Sequence, residues 1–546
     1  MASWPNDKGF DNDFEQPKPV QLKVKGEIPR YAAGVLYRTG PMGYKVRTDK
    51  GNIWAANHWF DGLSSIHRFE IECSDDGPVQ VTYSSRRTVD ELLEAVKRTG
   101  KLDGITFGAK RDLCKSIFAK FFTMFTAPKT SANNIGVTVS VNMPGGGYIK
   151  SAEKPLVNGH SSDNPIVTLH AKSDSSLLKK INPETLEPEG IAMQSSLHPD
   201  LKGPFSAAHA KSDPETGDIY NFNLEFGLSP TYRIFCTSAS TGETSILAKF
   251  TGTPAYIHSL FITQNYVVLC VWNSHVTWAG LSIPFHQNVV DGIAPFDKKK
   301  KAVWYAVDRR NGKGLVATYE SDPFFCFHTV NAWEEPSASN PKKTDIIAEL
   351  AAYENTDIIH RFYYDNLVSS SPASKKYAAG KKKRESCIPR HTQFRLPSVD
   401  AGVSPSKRLP AELLFQANPF TSMELPTINP AFLTKRHRYA YGNCDRLKSS
   451  FLDGIVKFDN VTQTAIFWEE EAHTPGEPIF IADPQGTAED DGVLLSVVLD
   501  GIRGKSYLLC LDARDLSEKG RAELDGPVAF TFHGTHKRVG QVVAST

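Results

Sequence analysis

No run of about 18 consecutive apolar residues occurs in this 546-residue chain, which leaves no candidate for a membrane-spanning helix. The opening MASWPNDKGFDNDFEQPKP is polar and lacks a signal-peptide core. The eight cysteines are scattered, with no CxxC pair; without a secretory signal they read as reduced thiols of a cytosolic protein. For the same reason NVT at Asn460 is expected to stay unglycosylated. Net charge is +1, so nothing draws the chain toward nucleic acid, and no feature calls for an obligatory protein partner. HExxH and GxSxG are missing; GKS at Gly504–Ser506 ends like a phosphate loop, but Leu499 stands where its first glycine is needed.

Short β-branched and aromatic runs are abundant: 266–272, 301–308, 454–459, 464–470, 492–500 and 506–512. Polar turns separate such runs, among them INPETLEPEG, SDPETGDIY, SASTGETSI, DRRNGKGLV and LDARDLSEKG. Asp or Asn opens each by bonding its own backbone, and Gly is expected to supply the positive φ. Repeated hairpins point to an all-β fold, either propeller blades or a sandwich. Two stretches depart from this pattern. Residues 88–127 read as helical, with Thr88 as N-cap. Residues 370–410 are rich in Ser, Lys and Pro, with Lys381, Lys382, Lys383 and Arg384 in a row, and read as a solvated surface loop.

Four histidines lie in apolar or small-residue runs: His209 in PFSAAHAKSDP, His258 in PAYIHSLFI, His328 in DPFFCFHTVNAWEE and His533 in VAFTFHGTH. Imidazole is the commonest transition-metal ligand, and an all-nitrogen site suits Fe(II), Zn(II) or Cu(II). Spacings of 49, 70 and 205 residues mean that only the fold can assemble them. Taken singly, each is more often a hydrogen-bonded core histidine.

The wording around these histidines resembles the carotenoid cleavage oxygenases. YRTGPMGY, HWFDGLSSIHRFEI, FFCFHTVNAWEE, MELPTINP and GEPIFIADP carry the likeness over roughly residues 20–545. NIGVTVSVNMPGG and SAAHAKSDPETGDIYNFN are most similar to the fungal, torulene-cleaving branch. The resemblance implies a seven-bladed β-propeller capped by loops and short helices over an axial Fe(II) held by His209, His258, His328 and His533. It implies one domain over 21–546 after a flexible extension at 1–20. It also implies acidic partners for the ligating imidazoles, namely Glu424, Glu477 and, in place of a usual Glu, Asp174. His58, His67 and His536 are then structural.

The implied reaction is oxidative scission of one C=C bond of a torulene-like or β-carotene-like polyene by O2. Such a substrate needs an apolar tunnel, for which Trp59, Phe60, Trp272, Phe324, Phe325 and Trp333 are candidates. Segment 114–125, with Ile117, Phe118, Phe121, Phe122 and Phe125 at three- and four-residue spacing, fits a helix dipping into a membrane surface or one buried in the core. The family places an apolar patch there, which favours peripheral contact of a cytosolic protein with intracellular membranes. Three rivals stand: a stilbene-cleaving oxygenase, a retinoid-type isomerase, and a metal-free propeller used for binding.

Overall fold

The computed structural model describes residues 4–73, 77–102, 104–110, 134–146, 165–338, 340–380 and 384–538. Seven sheets of four to six strands, antiparallel except where Arg408–Pro410 pairs in parallel with Leu315–Ser321, form the blades of a propeller, with a two-stranded ribbon, Lys45–Arg47 with Ile53–Ala55, beside them. The expected strands appear as Tyr266–Val271, Ala302–Asp308, Gly454–Asp459, Thr464–Trp468, Gly492–Asp500 and Lys505–Asp512. Several are buried on both faces, as their unbroken apolar runs require.

Numbered in chain order, blade I holds Gly34–Gly43, Leu63–Glu72 and Gln80–Arg87. Blade II runs from Thr138–Val141 to Pro188–Met193, and blade III from Lys211–Ser212 to Thr244–Thr251. Blade IV starts at Phe261–Ile262, blade V at Phe325–Pro336, blade VI at Glu424–Thr427 and blade VII at His473–Pro475. Both chain ends close the ring. His533–Arg538 pairs with Gly34–Gly43 in blade I, and Lys23–Gly26 pairs with Glu518–Glu523 in blade VII. Closure by strand pairing ties the first blade to both chain ends and leaves only the short outer edges of the blades.

The turns obey the expected chemistry with one revision. Asn182 Oδ1 accepts from the amides of Glu184 and Thr185, both at 3.0 Å. Gly217, Gly242, Gly312 and Gly314 take positive φ, but in INPETLEPEG and LDARDLSEKG it falls on Leu186 and Leu516. Both leucines are buried, so packing of the side chain offsets the backbone strain.

Three expectations need correction. The N-terminus is no loose extension, because Trp4, Asn6, Phe10 and Asn12 are buried. Asn6 Nδ2 donates to Leu367 O at 3.1 Å and Ser450 Oγ at 2.9 Å, fastening the chain start under the cap. Residues 370–410 are not a loop throughout: they contain the helix Pro372–Ala379 and the strand Arg390–Leu396, an inner member of blade V. Arg384 is buried on Asp445, while Lys381–Lys383 lie outside the described residues. Among the described residues of 88–127 the helix is Asp90–Thr99, residues 111–127 lying outside the described ones, and Thr88 does not cap it, because its hydroxyl meets Ser64 Oγ at 2.9 Å instead. Segment 114–125 lies outside the described residues.

Candidate metal centre

Each blade sends one chemically active side chain to a common centre. His209 and His258 immediately precede the first strands of blades III and IV, His328 lies within that of blade V, and His533 opens the closing strand of blade I. Blade II contributes Asp174 from the turn after Leu169–Lys172, blade VI Glu424, and blade VII Glu477. One nitrogen from each of the four histidines lies within 4.8 Å of the others.

The carboxylates set the direction of three rings. His533 Nδ1 is 2.7 Å from Glu477 Oε1, and His258 Nδ1 is 2.8 and 2.9 Å from the two Asp174 oxygens. His328 Nδ1 is paired with Glu424 Oε2. Because an ionised carboxylate only accepts, these pairs assign the ring proton to Nδ1 and leave a bare lone pair on Nε2. Those lone pairs face inward: His533 Nε2 is 3.0 Å from His209 Nε2 and 3.2 Å from His328 Nε2. Burial, together with the neighbouring histidines, holds the His209 and His533 rings well below the usual imidazole range, so they are neutral. The assigned lone pairs of His533 and His328, 3.2 Å apart, repel unless a cation lies between them. Two imidazole nitrogens bound at right angles, each about 2.1 Å from one ion, would be about 3.0 Å apart. The donor set therefore fits a transition-metal ion.

Behind the acids stands a further layer that sequence reasoning missed. Arg38 Nη1 donates to Glu477 Oε2 at 2.9 Å, Tyr353 OH to Glu424 Oε1 at 2.7 Å, and Tyr256 OH to Asp174 Oδ2 at 2.8 Å. Each acid thus offers one oxygen to an outer donor while holding its histidine. Burial pushes the Glu477 carboxyl up to about 7, against the pull of Arg38 and the Gly534 amide. Burial also acts to raise Glu424, but His328, Tyr353 and the Leu425 amide outweigh it and bring the carboxyl below its ordinary value. The local signal for Tyr256 is its place two residues before His258, where side chains of an extended chain share a face. Arg38 lies 439 residues from Glu477 and offered no local signal.

Two cavities meet the cluster. One, with about 790 Å³ of empty space, is bounded by His258, His328 and His533 and by Trp59, Phe60, Phe327, Phe362, Phe451 and Phe532. The rings pack edge to face, Trp59 on Phe532 at 4.7 Å and Phe60 on Phe532 at 5.4 Å. Of the aromatic candidates, Trp59 and Phe60 line this cavity; Phe324 and Phe325 are core, Trp272 Nε1 donates to Tyr256 O and Trp333 Nε1 to Glu335. Phe327 and Phe532, each beside a clustered histidine in sequence, were the liners most open to discovery. The second cavity leaves the cluster along the inner strands and is more polar, lined by His209, Lys211, Ser212, Thr329, Asn331 and Thr427 among others.

His58, His67 and His536, expected to be structural, are occupied elsewhere. His58 Nε2 faces Ile359 O at 2.9 Å, His67 Nδ1 meets Tyr83 OH at 2.9 Å, and His536 Nε2 faces Ala32 O at 3.1 Å. The side chain of Asn460 is tied to His391, Glu349 and His437.

Comparison with known proteins agrees with this architecture. The family described as retinal pigment epithelial membrane protein (RPE65) matches residues 9–538. The chain is 41% identical over 565 residues to a carotenoid dioxygenase of Neurospora crassa, covering 99% of this chain and 92% of that one. It is 42% identical over 546 residues to a torulene dioxygenase of Fusarium fujikuroi, covering 98% and 94%. Among solved structures, a Synechocystis apocarotenoid oxygenase mutant superposes with a TM-score of 0.69 at 21% identity, over 97% of this chain and 98% of that one. A cobalt-substituted form of the Synechocystis protein gives 0.67 at 22%, over the same shares. These structures share the fold. With the family matched over nearly the whole chain, the protein belongs to the RPE65/carotenoid oxygenase family and is an enzyme of it.

Proposed function

We propose that His209, His258, His328 and His533 hold Fe(II), and that the protein cleaves one C=C bond of a torulene-like or β-carotene-like polyene with O2. The observation that carries this reading is the junction of four inward-facing imidazoles with an aromatic cavity. Bound there, Fe(II) would supply O2 activation. The remaining work belongs to the protein. Asp174, Glu424 and Glu477 keep the Nδ1 protons in place and the Nε2 lone pairs directed at the ion. Trp59, Phe60, Phe327 and Phe532 bind the polyene by contact with its π-system and keep water away. The sum R–CH=CH–R′ + O2 → R–CHO + R′–CHO balances without a reductant, which suits a site whose neutral histidines provide no redox partner.

The test is product identification after incubation of iron-loaded protein with torulene, β-carotene, apocarotenals and resveratrol. Two aldehydes per polyene, each carrying one 18O when 18O2 is used, are expected. Cleavage of resveratrol alone would transfer the reading to stilbenes, and isomerised substrate without oxygen uptake would make the protein an isomerase.

We also propose that substrate arrives from a membrane surface, with the protein cytosolic and segment 114–125 in peripheral contact. Support comes from the described residues that precede the segment in sequence, 104–110. Asn288 Nδ2 donates to Ala109 O, placing Trp278 and Leu281, 56% and 43% exposed, on the neighbouring stretch of chain. No described helix is long and apolar enough to cross a membrane.

A further inference from the structure

His209 differs from the other three clustered histidines. Among the described residues it has no carboxylate on its ring, yet its Nε2 sits 3.0 Å from that of His533. Its support comes through the backbone. The His209 amide donates to His258 O at 3.2 Å, and His209 forms a parallel bridge with Ser259. The preceding residue is clamped from both sides: Thr138 Oγ1 donates to Ala208 O at 2.7 Å, and the Ala208 amide donates to Asp174 Oδ1 at 3.1 Å.

Asp174 therefore touches two of the four positions. Its carboxylate accepts from the His258 ring and from the amide of Ala208, the residue before His209. The His258 contact is nearly symmetric, with Nδ1 2.8 Å from one oxygen and 2.9 Å from the other, so it does not by itself fix the carboxylate's rotation. The outer donors do: Ala208 N–H takes Oδ1 and Tyr256 OH takes Oδ2 at 2.8 Å. Tyr256 is itself immobilised, with a side chain buried beside Phe107 and a carbonyl that accepts from Trp272 Nε1 at 3.1 Å.

We propose that Tyr256 is a positioning residue that locks Asp174 in one rotation, and that Asp174 so held orders His258 through its ring and His209 through the Ala208 peptide. The inference rests on the reading of the four histidines as a metal site. An aspartate suits the double task because its short side chain keeps the carboxylate close to both strands, and a glutamate would carry the oxygens past the Ala208 amide.

The test uses full-length protein stripped of metal and titrated with Co(II), followed by its visible absorption and by competition with a chelator. Wild type should take one Co(II) per chain. Asp174→Asn should weaken Co(II) about 100-fold, and Glu424→Gln, which serves one histidine, about 10-fold, the two ends of the range for such supports. Tyr256→Phe should weaken it about 5-fold, the worth of one hydrogen bond, and change the cobalt spectrum. In the Asp174→Asn background the same change should have little further effect. A Tyr256→Phe protein with wild-type affinity and spectrum overturns the inference, as does Asp174→Asn no weaker than Glu424→Gln. Asp174→Glu keeps the charge and is the variant least exposed to misfolding; wild-type affinity there overturns the Ala208 link. A folded wild type that takes up no Co(II) overturns the metal reading itself, and this inference with it.

Discussion

Arg38 and Glu477 meet 2.9 Å apart in the interior, with 1% and 10% of their side chains exposed. The guanidinium also donates to Glu477 O at 3.1 Å and Thr531 Oγ1 at 3.1 Å, so blade I holds blade VII beside His533. Arg38→Met should leave a buried carboxylate without its cation. We predict a loss of about 3–5 kcal/mol in chemical denaturation, the usual result of halving a buried pair. The same protein should lose metal more readily, because Glu477 then takes up a proton instead of accepting from His533. Unchanged denaturation midpoint and metal content would remove Arg38 from this role.

Replacing His209, His258, His328 or His533 singly with Ala should abolish detectable polyene cleavage and reduce bound iron. Elemental analysis of the purified variants measures the second effect independently of turnover. Full iron occupancy in any one of them would take that histidine out of the ligand set.

Glu424→Gln should cost about 10-fold in metal affinity, and Glu477→Gln about 10–100-fold in metal affinity or activity. The amide preserves shape, so thermal melting of the metal-free proteins controls for misfolding. Full activity in both variants would show that the pairing with His328 and His533 is incidental.

Phe118, Phe121 and Phe122 changed together to Ser should give a folded protein that cosediments less with phospholipid vesicles and loses activity chiefly on vesicle-borne carotenoid. Each large apolar side chain is worth about 1.5–3 kcal/mol when buried, so an unfolded or aggregated variant would mean that the segment is core.

A second buried cluster predicts a pH dependence apart from the metal. Glu349 faces His391 and, at 3.2 Å, His437, with all three side chains fully buried. Burial alone would raise the Glu349 carboxyl, but His437 and His391 hold it far below the carboxylate range. Burial would lower His437, and Glu349 outweighs it and raises the ring. The depressed acid contributes stability present above its unfolded value of about 4.3 and lost as pH falls below it. The raised imidazole contributes stability present below about 6.5 and lost as pH climbs through its folded value. The advantage of wild type over Glu349→Gln in urea should therefore be largest near pH 5–6 and smaller at pH 3.5 and pH 9. A flat difference would show that the cluster carries no net charge coupling.

The strands were legible because their signal is local, β-branched runs between Asx turns, whereas the four histidines, each of which taken singly reads as core, were legible only through the resemblance of the wording around them to a known family. What escaped was non-local. Asn6 looked like part of a polar tail, but its partners Leu367 and Ser450 are more than 360 residues away. Arg390–Leu396 was hidden among lysines and prolines, and only pairing with Thr344–Tyr353 reveals it as a strand. The aspartate at 174 was legible as a departure from the expected glutamate, whereas Tyr256 and the Ala208 amide became visible only once blades II, III and IV were set side by side.

The strand that closes the ring also carries His533, which lies 324 residues beyond His209. At roughly 5–20 residues per second, about 16 to 65 seconds of synthesis separate these two side chains. Only after His328, over the last 205 of those residues, does a growing chain carry three of the four imidazoles, still without the fourth and the strand that pairs with Gly34–Gly43. A metal ion held by all four histidines can therefore be enclosed only once the final strand has docked.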